Sequence, residues 1–194
     1  MLLGEDVLTY QDGKKVYMKS ASDKTIKNFG TGIGIREVVR LNLIECESCH
    51  VSSKIKNVET YFGTAPYFWN TLFFLMAHII PQSILKNRQL MSIFAGISLP
   101  MVRLVDSLVG SSNGIRVDLL LKSGETYTSL LTHNDLEASV GDAIGAFASQ
   151  ILIKDRVNNG VFFPEEVTNV LFRKEILDDI RKKALFDRSS SSGL

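Results

Sequence analysis

Residues 115–132 predict an antiparallel β-hairpin, and the segment that follows it constrains the fold class most. Apolar residues alternate with polar ones over residues 115–121, Ser123-Gly124 supplies a turn, and a second extended segment covers residues 127–132. Residues 135–153 then carry apolar side chains at three- and four-residue steps, the period of an amphipathic helix. A hairpin followed by a helix is typical of α+β proteins rather than of a parallel βαβ repeat.

The N-terminal part of the chain predicts further strands. Asp12-Gly13 is a tight-turn pair between extended segments at residues 6–10 and 15–19, which predicts a second hairpin. Residues 20–35 are polar and rich in glycine, serine and lysine, so we expect an irregular connection there. Two more strands are predicted at residues 36–45 and 58–62.

Helices are predicted in the middle of the chain. Thr64 is a predicted N-cap, and Pro66 falls in the first turn of a helix over residues 67–80. A second helical region covers residues 83–109, and we expect Pro100 to interrupt it.

These elements predict an α+β fold with a mixed, largely antiparallel sheet whose hairpins are covered by helices. The chain length fits one domain, which we expect over residues 1–188 and which ends in amphipathic helix over residues 165–186. Residues 189–194 are expected to form a disordered tail.

Charge and cysteine content exclude two classes of protein. The 194 residues include 22 Lys and Arg against 21 Asp and Glu, so no basic excess is present to neutralise phosphates. We therefore expect no nucleic-acid partner. Two cysteines are too few for a disulfide scaffold of this length. The first six residues lack the basic and apolar regions of a secretory signal, so we expect that the protein is not secreted.

The segment Gly30-Thr31-Gly32-Ile33-Gly34-Ile35 partly matches a dinucleotide-binding fingerprint. That fingerprint needs glycine at the first, third and sixth places, after a strand and before a helix. Here the sixth place is Ile35, and a strand is predicted to follow. We expect a flexible turn, with an anion-binding backbone nest as the alternative.

Cys46-Glu47-Ser48-Cys49-His50 matches the CxxCH attachment sequence of c-type haem. Two cysteines bond to the porphyrin in such a site, and the histidine ligates iron. The segment lacks a predicted helical scaffold, and no second axial ligand is evident. A metal or redox site is another alternative, with His78 or His133 as a distant ligand. The interpretation we favour is a loop with two buried thiols.

The segment at residues 67–80 is apolar enough to raise the question of a membrane. Fourteen residues lie between Pro66 and Pro81, whereas a helix needs about 20 to span a bilayer. It carries no Lys or Arg, which interfacial helices usually have. We expect a core or interface helix, and keep attachment to a membrane surface as the alternative.

The helix at residues 135–153 has a second stripe, made of small residues. Glycine costs a helix about 1 kcal/mol relative to alanine, so two glycines in the stripe indicate a packing or binding role. We expect tight packing against a neighbouring helix, with a subunit contact as the alternative. The stripe consists of Ala138, Gly141, Gly145 and Ala148.

A few polar residues beside apolar segments are weak candidates for function. Lone polar groups of this kind are more often satisfied structural residues than catalysts. They are Asn42, Glu45, Arg103, Asp106 and His133.

Several motifs, in order along the chain, resemble the C-terminal half of saccharopine dehydrogenase-like oxidoreductases, the plant and cyanobacterial branch most of all. Each motif is only moderately specific, and the ordered set from Tyr10 to Glu166 carries the resemblance. The motifs are Tyr10-Gln11-Asp12-Gly13-Lys14, Asn28-Phe29-Gly30, Leu41-Asn42-Leu43-Ile44-Glu45, Phe62-Gly63-Thr64-Ala65-Pro66-Tyr67-Phe68-Trp69-Asn70, Ser139-Val140-Gly141-Asp142-Ala143 and Gly160-Val161-Phe162-Phe163-Pro164-Glu165-Glu166.

The resemblance implies an NAD(P)-dependent enzyme whose N-terminal Rossmann domain is absent from this chain. The chain would then be the C-terminal domain, which shapes the pocket for a small-molecule substrate and forms a homodimer. On this reading it is inactive alone and binds no cofactor by itself. Plastid and cytoplasm are the compartments that the resemblance suggests.

No catalytic residue carries over from the family. As candidates for substrate binding we take Thr64, at the predicted helix start where free backbone N–H groups suit a carboxylate, together with Arg36, Asn42 and Asn70. Cys46 and Cys49 depart from the family pattern. The other classes of function that remain are a non-enzymatic membrane-surface or lipid-associated module acting through residues 67–80, and a c-type haem carrier.

Overall fold

A computed structural model describes residues 2–110, 112–153, 160–167, 169–184 and 186–192. Helices and small antiparallel sheets alternate irregularly, so the α+β prediction is confirmed. The strands are β1 (Val7–Gln11), β2 (Lys14–Met18), β3 (Thr25–Asn28), β4 (Ile35–Arg40), β5 (Tyr61–Phe62), β6 (Asn113–Leu120), β7 (Thr126–His133) and β8 (Phe186–Ser192), and the helices are α1 (Glu45–Ser53), α2 (Phe68–Ile79), α3 (Gln82–Leu85), α4 (Arg88–Val109), α5 (Leu136–Ile151) and α6 (Val170–Lys183).

The chain divides into two compact units. The first contains residues 1–27 and 36–109, and the second contains residues 28–35 and 110–194. Instead of one sheet, the described residues form three small ones, with strand orders β1-β2, β3-β4-β5 and β6-β7-β8. The single domain over residues 1–188 stays a prediction.

In the first unit, the predicted hairpin at Asp12-Gly13 is confirmed. β1 and β2 pair antiparallel with Gln11 opposite Lys14, and both turn residues have positive φ. Extended backbone also occurs where we expected an irregular connection, because β3 lies within residues 20–35. β4 ends at Arg40, five residues before the predicted end of that strand.

Helix α4 differs from the prediction in where it breaks. It continues through Pro100, and the interruption falls at Lys86 and Asn87, where the Asn87 side chain accepts hydrogen bonds from the N–H groups of Gln89 and Leu90. Proline in a helix removes one backbone donor. Gly96, whose carbonyl loses that donor, and Pro100 are both exposed, so water can satisfy the carbonyl.

The core of the first unit lies under α2. Its buried apolar residues are joined by half-buried ones from the inner face of α2, which are Leu72, Phe73, Phe74 and Ala77. This anchors α2 as a core helix, in agreement with the interpretation favoured from the sequence. The buried members of the cluster are Leu3, Ala21, Val39, Leu41, Met76 and Leu85.

In the second unit, the predicted hairpin at residues 115–132 is confirmed as β6 and β7. The strands pair antiparallel over eight residues each, with Val117 opposite Ser129. β8 adds to the other side of β7, with Ser189 opposite Ser129. Residues 189–192 therefore form a strand where we expected a tail, because main-chain pairing satisfies the backbone of a serine-rich segment whatever its side chains. Residues 193–194 lie outside the described residues.

Helix α5 begins as the sequence indicated and packs differently. The Asp135 carboxylate accepts a hydrogen bond from the Ala138 N–H at 2.7 Å, which caps the helix. α5 contacts α6 through Ala146 and Phe147, which pack against Phe172 on α6. The predicted apolar stripe of α5 is largely exposed instead: Leu136, Val140, Ile144 and Ile151 are 51–64% accessible.

Candidate functional site

Asn70 joins three segments of the motif-rich region in the first unit. Its side chain is almost fully buried, its Oδ1 accepts from the Thr64 N–H at 3.1 Å, and its Nδ2 donates to the Glu37 carbonyl oxygen at 3.0 Å. The Glu37 carboxylate accepts a hydrogen bond from the Tyr67 hydroxyl and pairs with Lys24. The structure thus brings together two predicted substrate-binding residues, Thr64 and Asn70, in a bonded cluster that holds the start of α2.

The predicted carboxylate site at Thr64 has a different geometry. α2 begins at Phe68 with Tyr67 as its N-cap, so Thr64 does not cap it. The Thr64 N–H is bonded to Asn70, and the N–H groups of Trp69 and Asn70 donate to the carbonyls of Pro66 and Tyr67. These donors already have partners, so this segment serves to position α2.

The other two predicted substrate-binding residues are Asn42, whose partners lie outside this cluster, and Arg36, which precedes Glu37 on β4. The Asn42 side chain accepts from the Leu8 N–H and donates to the Glu5 carboxylate, which ties the segment after β4 to the first hairpin. Arg36 lies half-buried on β4. Its role in substrate binding stays a prediction.

The weaker polar candidates are dispersed. Glu45 begins α1, Arg103 and Asp106 are exposed on α4, and His133 ends β7 with its Nε2 3.7 Å from Asp142.

Arg40 is a buried charged residue that the sequence analysis missed. Its side chain is 7% exposed, lies 3.0 Å from the Asp23 carboxylate and 3.3 Å from Glu59, and its guanidinium stacks over the Tyr61 ring. Burial and the hydrogen bond to Glu59 raise the pKa of Tyr61 above its ordinary value. The two-residue period of β4 was the available signal, because Arg40 stands two residues after Val38 and so lies on the same face of the strand.

The glycine segment between β3 and β4 does not fit a dinucleotide. The Phe29 N–H donates to the Gly34 carbonyl, the Gly34 N–H to the Gly30 carbonyl, and the Gly30 N–H to the Asn28 side chain. The segment therefore consumes these donors internally, and it leads into a strand rather than a helix. We expected a turn here, and the structure has one, which connects β3 to β4.

The CxxCH segment lies on helix α1, which corrects the expectation of a loop. Cys46 is fully buried, its thiol lies 3.6 Å from the Val58 carbonyl, and burial raises its pKa. Cys49, which was also expected to be buried, is only half-buried. The His50 ring stacks on Tyr10 with centroids 3.7 Å apart, and its Nδ1 lies 2.7 Å from the Ile55 carbonyl. A thiol enclosed in the core and a histidine engaged on both sides favour a structural role over haem attachment.

Helix α4 presents a continuous apolar face to solvent. All of its residues are described, and none is buried. Positions at three- and four-residue steps place seven side chains, 44–78% exposed, on this face. We call them the α4 face: Leu90, Ile93, Phe94, Ile97, Met101, Leu104 and Leu108.

The side of α4 opposite this face is polar toward its two ends, and Leu99 lies between them in the same sector. Arg88, Ser92, Arg103 and Asp106 lie within one narrow sector of the helix circumference. Among the described helices, α4 meets the length and hydropathy of a membrane span, with a mean hydropathy of 1.5. The membrane alternative, placed at residues 67–80 from the sequence, is therefore better matched by α4 than by the core helix α2.

A groove of about 280 Å³ lies between α5 and α6. Gly141 and Gly145 line it, and a Cβ added at either glycine would meet nothing within 4 Å. The expectation that the small-residue stripe packs tightly against a neighbouring helix is therefore wrong at these two glycines. Lys183 bonds to Asp142 at 2.6 Å across the groove. Lys182 bonds to Asp179, which raises the pKa of Lys182.

No arrangement of three or more potential metal ligands occurs among the residues that the structure describes. Comparison with known proteins gives no family either, since neither a protein-family model nor a curated protein matches this chain.

Proposed function

We propose that this chain is the C-terminal substrate-binding and dimerisation domain of an NAD(P)-dependent saccharopine dehydrogenase-like oxidoreductase, inactive alone. The ordered motifs from Tyr10 to Glu166 support the family. The α+β architecture is consistent with such a domain. NAD(P) would supply the hydride chemistry from a separate dinucleotide-binding domain.

The observation that carries the proposal is the extent of uncovered apolar surface on both units. The α4 face is exposed on the first unit, and the apolar stripe of α5 is exposed on the second. Contiguous exposed apolar surface marks interaction sites in soluble proteins. A domain that packs against another domain or subunit accounts for this surface, whereas a self-sufficient small enzyme does not need it.

In this proposed domain, the residues of the motif Phe62–Asn70 stabilise the fold. Asn70 fixes the segment before α2 to β4, and Asn42 fixes the segment after β4 to the first hairpin. Any substrate contact would come from residues that this framework holds in place. Of the four candidates for substrate binding, Arg36 is the one that remains.

Two measurements test the proposal. We expect the isolated chain to show no change in NADPH fluorescence in titrations up to about 100 μM, a range that covers typical cofactor affinities. Micromolar binding of NADPH would contradict the proposal. We also expect the transcript encoding this chain to specify, upstream of Met1, a strand followed by G-x-G-x-x-G. A complete transcript without that sequence would contradict membership in such an enzyme.

A second candidate function is attachment to a membrane surface through the α4 face. The helix spans about 33 Å at 1.5 Å per residue, its face is aliphatic and aromatic, and charged residues lie near both of its ends. The uncharged stretch between Arg88 and Arg103 has 14 residues, fewer than the about 20 that cross a bilayer, so the helix suits the interface plane rather than a membrane span. With two arginines and one aspartate in the sector, binding would depend on apolar contact rather than on anionic lipid.

Vesicle flotation tests this second candidate. We expect the chain to float with neutral phosphatidylcholine vesicles, with little loss at high salt. The double substitution Ile97→Lys and Leu104→Lys should lower the bound fraction about tenfold or more, because it removes two apolar anchors. The matched control is Ile26→Lys with Val51→Lys, two residues 71% and 63% exposed outside α4. No flotation, or equal loss in both variants, would rule out this function.

A further inference from the structure

Among the residues that the structure describes, strand β6 is an edge strand, and the side away from β7 is called its open side. Among the described strands, β7 is its neighbour, and β6 stands first in the order β6-β7-β8. It is eight residues long, with no proline and no lysine. Natural edge strands usually carry such features to prevent pairing with other chains. β6 therefore has the properties of a strand that accepts a partner strand.

The backbone direction of β6 follows from its turn. The Leu121 N–H donates to the Glu125 carbonyl, so residue 121 directs its backbone groups toward β7. Backbone direction alternates along a strand, so 119, 117 and 115 point the same way. Arg116 and Asp118 consequently direct their backbone N–H and C=O groups toward the open side.

The two faces of β6 carry different kinds of side chain. Ile115, Val117 and Leu119 lie on one face and are 40–58% exposed. Arg116 and Asp118 lie on the other face, 2.8 Å apart, and the Arg116 guanidinium also donates to the Asn28 carbonyl. Around Val117 the strand is thus symmetric in character: a charge of opposite sign stands on either side, and an apolar residue stands beyond each charge.

We propose that β6 pairs antiparallel with β6 of a second copy of this chain, about a two-fold axis at Val117. In this register, Arg116 of each copy lies directly opposite Asp118 of the other, and Ile115 lies opposite Leu119. Opposite charges in directly opposed positions stabilise a strand pair. The guanidinium has five N–H donors, so it can bond to a carboxylate of each copy. Two three-stranded sheets become one of six strands.

Neighbouring registers lack this complementarity. An axis at Arg116 sets two arginines opposite each other, and an axis at Asp118 sets two aspartates opposite each other. Like charges in opposed positions are unfavourable. Because the same patch meets itself, the contact closes as a dimer rather than extending into a fibre.

This inference rests on the dimerising role proposed above and adds the surface that performs it. Sedimentation velocity of the full chain tests both. In a mild nonionic detergent, which prevents association through the exposed apolar faces, we expect wild type to be a dimer at 50 μM. Arg116→Asp or Asp118→Arg alone should raise the dimer dissociation constant about tenfold or more. An equimolar mixture of the two variants should restore the dimer, since each Asp then faces an Arg of the other chain.

The mixture separates an intermolecular role from a structural one, because the pair within each chain is broken in both variants. Circular dichroism of each variant checks its fold. Val117→Lys, which sets two lysines on the axis, should also dissociate the dimer, whereas Val170→Lys on α6, 75% exposed, should not.

Each contrary result has its own meaning. Variants that remain dimers with wild-type affinity would overturn the β6 contact and leave dimerisation through another surface. Monomeric variants whose mixture stays monomeric would overturn the proposed register. A monomeric wild type would overturn the contact together with the dimerising role, while the NADPH titration still decides the cofactor part of the proposed function.

Discussion

At the scale of residues, the polar groups of this chain hold the fold together. Asn70 and Arg40 are both buried, and each connects segments distant in sequence. A buried polar group is costly unless it is hydrogen-bonded, so such residues fix one arrangement of the segments that they join. Asn70 was chosen from the sequence as a binding residue, and its contacts now indicate a structural role.

Replacing Asn70 tests that role. Asn70→Ala removes two hydrogen bonds and leaves the Thr64 N–H and the Glu37 carbonyl without these partners, so we expect a loss of about 2–4 kcal/mol in the free energy of unfolding. Asn42→Ala, at a less buried residue, should cost about 1 kcal/mol or less. Urea unfolding measures both. Equal losses would contradict the assignment of Asn70 as the central connection.

The buried thiol of Cys46 makes a second prediction at this scale. The reactive species is the thiolate, and burial raises the pKa of Cys46 above its ordinary 9.0. A Cys49→Ser variant, which retains Cys46, should therefore react with a disulfide reagent at pH 8 about tenfold or more slowly than Cys46→Ser. Denaturant should make the two rates similar. A fast reaction of Cys46 in the native state would show that the thiol is accessible.

The raised pKa also gives the sign of a pH effect. The folded chain holds the Cys46 proton more tightly than the unfolded chain, so this contribution to stability is complete below about pH 9 and declines as the pH rises further. Removing the thiol should make stability less dependent on pH in that range.

At the scale of elements, local sequence predicted some structure well and other parts poorly. The two hairpins and α5 followed from Asp12-Gly13, from the alternation before Gly124 and from the apolar residues at helical steps over residues 135–153. α1 was missed because the CxxCH segment has no apolar periodicity. β8 was missed because its serine-rich sequence carries no strand signal, and pairing with β7, distant in sequence, decides its conformation.

The continuity of α4 through Pro100 gives a prediction for this helix. Pro100→Ala restores the donor to the Gly96 carbonyl and removes the strain of an internal proline, which is worth up to about 3 kcal/mol in a helix interior. We expect slower amide hydrogen exchange over residues 97–104 in this variant. Ser98→Ala serves as the control, since it changes a side chain of the same helix without adding a donor. Equal exchange in wild type and Pro100→Ala would indicate that the proline is not limiting.

At the scale of the whole molecule, the apolar content of the sequence is divided between core and surface. Hydrophobic residues make up 45% of the chain, yet those of the α4 face and the α5 stripe are exposed. Periodicity predicts which face of a helix is apolar. It cannot tell whether the same chain, a second chain or a lipid covers that face, so the sequence could not show that these surfaces are open. The same limit applied to the substrate-binding candidates, because only tertiary contacts reveal that Thr64 and Asn70 are already bonded to each other.

The charge balance gives a prediction for the isolated chain. A net charge near zero provides little repulsion between molecules, and exposed apolar faces attract one another. We expect the chain to form large assemblies at pH 7–8 and a mild nonionic detergent to reduce them to small species in light scattering. A reducing agent is the control and should have no effect. Large assemblies that persist in detergent but disappear on reduction would point to intermolecular disulfides instead.

The second unit is built from two stretches of chain that are far apart in sequence, and this affects how the protein folds on the ribosome. Its residues 28–35 are synthesised long before residues 110–192, yet Phe29 and Ile33 approach Gly114, and Arg116 donates to the Asn28 carbonyl. This unit cannot complete its contacts until β6 has left the exit tunnel, whereas most of the first unit has by then been translated. Folding of a nascent chain in two stages, N-terminal unit first, is the order that this connectivity favours. For the same reason, a polypeptide that starts at residue 110 would lack part of the unit that it was meant to contain.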